Sequence, residues 1–156
     1  MRTIRTGLVA AVALGLVATA CGSDDDDGGA TPSTTSSRQI VFNVSLTGTA
    51  EAPGPGSTDG RGTARITVDP ERDEVCYELS TSNLTGVTAA HIHEGRAGTA
   101  GPIAVTLTAP ENGKSEGCTP TTASIVQAIA SGQRSFYVNV HTSEFPDGAI
   151  RAQLTG

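Results

Sequence analysis

The sequence has no tryptophan, and its other aromatic residues are three phenylalanines and two tyrosines. This scarcity, with many glycine, threonine and valine residues, favours β-structure over a helical bundle. Basic residues are also scarce, since 10 Lys and Arg stand against 16 Asp and Glu, a formal net charge of −6. A chain this acidic does not suit a phosphate backbone, so nucleic acid is excluded as a partner.

Several catalytic motifs are missing as well. The sequence contains no Gly-x-Ser-x-Gly, and no serine or cysteine has an obvious histidine base. The glycine-rich stretch 95–101 lacks the Lys-Ser/Thr ending of a phosphate-binding loop and does not lead into a helix. These absences argue against a nucleophilic hydrolase and against a nucleotide site.

Residues 1–20 have the pattern of an export signal. Arg2 and Arg5 form a positive start, residues 7–17 form an apolar stretch, and small residues precede Cys21. The stretch is too short and wrongly flanked for a transmembrane helix. We therefore expect these residues to be removed from the mature protein.

The setting of Cys21, directly after small residues, resembles the signal of bacterial lipoproteins. In that family the cysteine thiol receives a diacylglycerol and the cysteine becomes the mature N-terminus. The resemblance implies an exported protein, anchored to the outer face of the bacterial cell membrane by lipidated Cys21. An ordinary export signal, with Cys21 nearby by chance, is the alternative.

Residues 21–38 are predicted to be a lipidated, disordered tether. The four acidic residues Asp24–Asp27 lead into a stretch rich in Gly, Ser, Thr and Pro, without a large apolar side chain. Such a segment cannot bury enough surface to offset its ordering entropy. We interpret Asp24–Asp27 as a solvated charge run, with cation binding as the alternative. Residues 39–156 then form one domain.

Alternation of apolar and polar residues predicts the strands of this domain. The predicted strands are 39–47, 62–68, 74–80, 87–93, 103–107, 135–141 and 149–154. A helical pattern covers 120–130, with Thr121 or Thr122 as the cap and Gly132 as the end. We predict an all-β fold, an antiparallel β-sandwich of about seven or eight strands with one short helix.

Two cysteines remain after lipidation, Cys76 and Cys118. An exported protein meets oxidising conditions, in which two thiols usually join. A Cys76–Cys118 disulfide would close a loop of about 40 residues and contribute about 3–4 kcal/mol. A metal-binding cysteine is the alternative, although neither cysteine neighbours a histidine or a second cysteine.

All three histidines of the chain stand in predicted strands. His91 and His93 have the i, i+2 spacing that places side chains on one face, about 6–7 Å apart. His141, from a neighbouring strand, would complete a three-histidine face. Because imidazole suits copper and zinc, we predict a copper site, with zinc as the second choice. The alternative is structural, with each ring bonded to a backbone carbonyl.

Four polar residues flank these histidines in sequence: Glu94, Asn139, Glu144 and Asp147. Glu144 or Asp147 is a candidate fourth ligand or hydrogen-bond acceptor for the rings. Asn139 shares a strand face with His141, unless it is simply a surface residue of the ladder. Glu94 alternates to the face opposite His93 and is predicted to be a solvated residue at the strand end.

Several segments, in this order, resemble the CHRD (chordin-type) domain family. They are 46–53 (LTGTAEAP), 88–93 (TAAHIH), 101–103 (GPI), 136–142 (FYVNVHT) and 148–154 (GAIRAQL). The resemblance covers about residues 41–154. The family occurs in exported bacterial proteins and, repeated, in chordin, and it implies a fold more than an activity.

A second resemblance is to Cu/Zn superoxide dismutase, another antiparallel sandwich. An H-x-H strand and a later histidine bind copper there, roles that His91, His93 and His141 would take. The loop after His93 contains no histidine, so the bridging histidine and the zinc site of that family are missing. Arg151 or Arg96 is the candidate for the arginine that guides superoxide.

These features predict a cell-surface module that binds metal or another protein, and an enzyme is the less favoured class. The first alternative is a copper redox enzyme similar to superoxide dismutase. The second is a purely structural sandwich whose face binds a protein partner.

Overall fold

The structure, a computed structural model, describes residues 38–155. The predicted export signal, Cys21 and nearly all of the tether lie outside the described residues. Within the range that is described, no helix has the length and apolarity needed to cross a membrane.

Alternating strands dominate this range, which confirms the all-β prediction. The elements are β1 (Ile40–Thr47), a 3₁₀ turn (Gly48–Ala50), β2 (Arg61–Asp69), β3 (Glu74–Ser82), β4 (Val87–Glu94), β5 (Ile103–Leu107), β6 (Lys114–Pro120), α1 (Ala123–Ser131), β7 (Phe136–Thr142) and β8 (Ile150–Gln153). The predicted boundaries of the elements that were foreseen differ from these by at most three residues, as is usual where strand and helix ends fray.

The eight strands form one antiparallel sheet in the order β5-β4-β7-β8-β1-β2-β3-β6. The sheet curls until its edge strands β5 and β6 approach each other, so the sandwich is a nearly closed barrel. Side chains bridge this seam: Ser115 donates to the Thr108 carbonyl (2.7 Å), and Thr119 donates to the Thr106 carbonyl (3.3 Å). These bonds help to cover the two sheet edges, which would otherwise be open to pairing with a strand of another chain.

The core lies inside the curl, on the face that the alternation predicts. In β2, Ala64, Ile66 and Val68 are buried as expected. In β3, Tyr77 points inward while its neighbour Cys76 lies on the outer face. Because side chains alternate along a strand, the opposite face of every strand is left free for polar groups.

β6 is the strand that the sequence pattern missed. Its inward positions are Ser115, Gly117 and Thr119, which carry no large apolar side chain for a periodicity analysis to detect. A small residue is required at Gly117, because a Cβ there would lie 2.8 Å from the Tyr77 hydroxyl. The strand is set by its partner, with seven residues in register against β3.

The short helix is found where it was predicted, starting a few residues later. Thr122 caps it by accepting a hydrogen bond from the Ile125 amide (3.4 Å), and Gly132 ends it in the left-handed conformation. Val126 and Ile129 bury its apolar side against the core.

Cys76 and Cys118 stand directly opposite each other on β3 and β6 and form the predicted disulfide, with 42 residues of sequence separation. The bond ties β6 to the sheet. Since β6 contributes little apolar burial, this tie is a large part of what holds the strand in place.

We expect the double variant Cys76→Ser/Cys118→Ser to lose about 2–4 kcal/mol of unfolding free energy, because the unfolded chain gains entropy when the cross-link is absent. Urea denaturation, in a Cys21→Ser background that removes thiol exchange, measures the loss. The matched control is the background protein with a reducing agent, which should lose the same amount. An equal stability of oxidised and double-variant proteins would contradict this account of β6.

Candidate metal centre

The three histidines meet on the outer face of the sheet. His91 and His93 lie on β4, and the adjacent antiparallel strand β7 carries His141. The register pairs His91 with Asn139 and pairs Ala89 with His141, so the imidazoles of His91 and His141 are diagonal neighbours. Ile92, between the two histidines of β4, points into the core and is fully buried.

The distances between the rings suit one shared ion. His91 Nδ1 lies 3.1 Å from His141 Nε2. Two nitrogens that bind one zinc ion at about 2.0–2.1 Å lie about 2.9–3.4 Å apart for angles between 90° and tetrahedral. Ring nitrogens of all three histidines lie within 4.8 Å of one another. The rings are therefore close enough that small movements would bring three donors to one point.

Backbone carbonyls fix which nitrogen of two rings is free. His93 Nδ1 donates to the Gly101 carbonyl (2.8 Å), and His141 Nδ1 donates to the Pro146 carbonyl (2.9 Å). In a neutral imidazole the other nitrogen then carries the lone pair. The free nitrogens of these two rings are therefore Nε2 of His93 and Nε2 of His141, and bonds of this kind orient metal-binding histidines in known sites. The third ring, His91, faces them through Nδ1, which lies beside His141 Nε2.

The strongest mark of a ligand site is the Nε2 atom of His93. This nitrogen is buried and has no hydrogen-bond partner of good distance and angle among residues 38–155, although Asn139 lies near enough to raise the pKa of His93. A buried polar atom without a partner is costly, and such atoms are rare in folded proteins. A metal ion is a partner that would satisfy this nitrogen, so the residues fit the group.

Electrostatics favour the neutral form of His91 and His93. Burial, followed by repulsion from the charged forms of His141 and His93, lowers the pKa of His91 from 6.5 to about 4. Burial also lowers the pKa of His93. Because only neutral imidazole can bind a metal, the ligand form of both rings is present at neutral pH.

Tyr137 and Arg151 form a stack behind His93. The Tyr137 ring lies nearly parallel to the imidazole, with 4.9 Å between centroids and 4° between planes. The Arg151 Cζ atom lies 3.4 Å from the centroid of the Tyr137 ring. Tyr137 also accepts a hydrogen bond from the amide of Gly101 (3.2 Å), the residue whose carbonyl binds His93.

Arg151 and its strand neighbour Gln153 hold the loop 95–102 over this face. Arg151 donates to the carbonyls of Thr99 (3.1 Å) and Arg96 (2.7 Å), and Gln153 donates to the carbonyl of Gly95 (3.1 Å). Arg151 is 1% exposed. It is therefore placed to support the loop and does not reach solvent, where a guide for a diffusing anion would have to be.

Glu51 lies beside this network in a slot made by two glycines. A Cβ at Gly148 would lie 2.5 Å from the Glu51 carboxyl carbon, and one at Gly56 would lie 2.8 Å from its Cγ. Its Oε1 is buried without a hydrogen-bond partner in the described part of the chain. Burial raises the pKa of Glu51 to about 7, although the charge of Arg151 and a bond from the Ala52 amide oppose the shift.

The four polar residues that flank the histidines in sequence lie in different environments. Asn139 is buried, with its Oδ1 3.1 Å from His141 Nε2, so it belongs to the site and is not a surface residue. Glu94 forms an ion pair with Arg134 (2.7 Å) at the strand end. Glu144 and Asp147 are exposed and lie outside the histidine cluster, and the Pro146 carbonyl between them orients His141 instead.

Sequence reasoning missed Gly101, Tyr137 and Glu51 as parts of the site. Tyr137 had a usable signal, because it shares a strand face with Asn139 and His141 at two-residue spacing. The other two come from loops, whose path the local pattern does not encode.

Comparison with known families identifies the family of the domain that carries these residues. The CHRD domain matches residues 42–154, a range that includes the three histidines and both cysteines of the disulfide. The chain belongs to the CHRD domain family. The resemblance to the CHRD domain family, predicted from the sequence, is thereby confirmed. Comparison with curated proteins gives no match, and comparison with solved structures gives none either.

The buried carboxyl of this CHRD domain leads to a pH prediction. Folding raises the Glu51 pKa from 4.5 to about 7, so its contribution favours the folded state below pH 4.5 and is lost as the pH rises through 7. We expect Glu51→Gln to match the wild type in stability near pH 4 and to exceed it at pH 8. Urea denaturation at both pH values measures the difference.

The control for this comparison is Glu111→Gln, at an exposed position. It should change stability equally at both pH values. Contributions from the histidines cancel in the comparison because they are present in all three proteins. A Glu51→Gln variant no more stable than the wild type at pH 8 would contradict the prediction.

Proposed function

We propose that this CHRD domain binds one transition-metal ion through His91, His93 and His141. The observation that carries the proposal is the buried Nε2 of His93, which has no hydrogen-bond partner of good geometry within residues 38–155 and lies with two further imidazoles whose nitrogens are within 4.8 Å. Copper is the preferred ion and zinc the second choice, because divalent copper stands above zinc in the affinity order of nitrogen sites. When bound, copper supplies one-electron chemistry and zinc supplies a Lewis acid.

Each residue has a defined task in this proposal. The carbonyls of Gly101 and Pro146 hold the tautomers of His93 and His141. His91 Nδ1 donates to the lone pair of His141 Nε2 while no ion is bound. When an ion binds through this nitrogen, the His91 proton would move from Nδ1 to Nε2, and the ring would stay neutral. A second group of close residues, Glu74, Cys76 and Cys118, is not a rival site, because its sulfurs are joined in the disulfide.

We further propose that the domain is held at the outer face of the cell membrane by lipidated Cys21, with residues 22–38 as its tether. Support comes from the sequence alone, namely the apolar stretch and the small residues before Cys21. A tethered metal site of this kind serves to hold or hand over an ion at the cell surface. A copper redox enzyme and a structural protein-binding domain are the competing functions.

The metal site is tested by calorimetric titration with Cu(II) and with Zn(II). We expect one ion per chain for the wild type. In His91→Ala/His141→Ala the affinity should fall at least about a hundredfold, since even supporting residues of metal sites contribute 10–100-fold. The matched control is Glu144→Ala, an exposed carboxyl of the neighbouring loop, which should bind as the wild type does.

The competing functions predict different results. If the wild type binds the metal ions with no higher affinity than the double variant, the metal site is contradicted and a structural domain is favoured. In that case His91→Ala/His141→Ala should lose stability instead, because the bond between the two rings is gone. Superoxide dismutation by the copper-loaded wild type, absent from the metal-free form, would make the protein an enzyme.

The anchor is tested by Cys21→Ser. We expect the wild type to sediment with membranes and the variant to be released, because two or more acyl chains hold a protein firmly and none remains on serine. Mass spectrometry of the N-terminal peptide should show a diacylglycerol on Cys21. A wild type released to the same extent as the variant would contradict lipidation, while leaving the metal proposal intact.

A further inference from the structure

Arg151 carries a buried positive charge that no carboxylate from the described range 38–155 neutralises at contact distance. The side chain is 1% exposed, and its donors reach three neutral oxygens, the carbonyls of Thr99 and Arg96 and the Gln153 amide. The ion pairs within residues 38–155 involve other arginines, namely Arg65, Arg72 and Arg134. A buried guanidinium of this kind is costly and keeps a strong local field.

That field reaches the metal site along a short path. Tyr137 lies on β7, between β8 with Arg151 and β4 with His93, and it contacts both side chains through its ring. The charge of Arg151 is the last of the causes that lower the pKa of His93, after burial and the charge of His141. Arg151 thus acts on the ligand while its own hydrogen bonds lie in the loop.

The proposed ligands offer no charge to offset either cation. All three donors are neutral imidazoles, and the histidine cluster includes no carboxylate from the described residues. Glu51 is the acidic group whose charge interacts with Arg151. Burial raises the pKa of Glu51 to about 7, so its carboxyl is only partly ionised near pH 7. The charge on a bound ion therefore adds directly to that of Arg151.

We propose that Arg151 sets the charge preference of the site, and that its buried guanidinium favours a monovalent ion over a divalent one. The inference rests on the proposed three-histidine site. Repulsion of a divalent ion is twice that of a monovalent ion at the same place. One unit of charge at about 8–10 Å in a protein changes a binding ratio by about tenfold. For copper, the site then favours the cuprous ion.

Two redox-inert probes test the preference without copper chemistry. Ag(I) stands for the monovalent ion and Zn(II) for the divalent one, and calorimetry of the whole protein gives the ratio of their affinities. We expect the ratio of Ag(I) to Zn(II) affinity to fall about tenfold in Arg151→Met, which removes one charge. Arg151→Lys keeps the charge and loses the planar fork, so its ratio should stay near that of the wild type.

Glu51→Gln provides the opposite change without touching the buried arginine. At pH 8, above the Glu51 pKa of about 7, the wild-type carboxylate offsets part of the Arg151 field. Glutamine has the same shape and no charge, so the ratio of Ag(I) to Zn(II) affinity should rise. This variant decides the question by itself if Arg151→Met does not fold.

For copper, a tenfold change in the ratio corresponds to about 59 mV in the midpoint potential of the one-electron Cu(II)/Cu(I) couple. In that measurement the electrode supplies the electron, and no bond of the protein is made or broken. The potential should fall in Arg151→Met and rise in Glu51→Gln at pH 8.

The outcomes separate this inference from the metal site itself. A wild type that binds neither probe overturns the proposed site and the inference with it. A wild type that binds, with the same affinity ratio in Arg151→Met and Glu51→Gln, overturns the charge preference alone. An equal fall of the ratio in Arg151→Lys and Arg151→Met would show that Arg151 acts by shape, which also overturns it.

Discussion

The pairing of β4 with β7 is the constraint on which the rest of this protein depends. It brings two histidines of one strand beside the third on the next, and it does so with main-chain bonds that do not involve the rings. A slip of one residue in either strand would turn the histidines of that strand into the core. The buried apolar residues between them, such as Ile92 and Val140, make that slip costly and so hold the register.

Loops complete what the strands begin. The carbonyls that orient His93 and His141 come from Gly101 and Pro146, in two separate loops. One of these loops is fastened by Arg151 from the far side of Tyr137. The site therefore combines rigid donors on strands with orienting groups on loops, an arrangement common in binding sites.

Much of the fold and of the histidine site could be predicted from the sequence, because the sequence signals for strands, helix caps and histidine spacing are local. Alternation located seven strands and the histidine face, and the capping threonine located the helix. β6 was missed since its inward residues are small and polar, so its place depends on its partner strand. The roles of Arg151 and Glu51 were also out of reach, because each depends on which distant backbone covers it.

Alternating residues of β4 and β7 point to two faces of the sheet, and the two faces have different roles. Even-numbered positions such as Ile92 and Val138 fill the barrel, and odd-numbered positions such as His93 and Tyr137 build the outer cluster. The fold and the site can therefore diverge separately in evolution. Relatives could keep the same barrel while exchanging the outer residues for other ligands, or for none, and the barrel would record common descent without recording a shared activity.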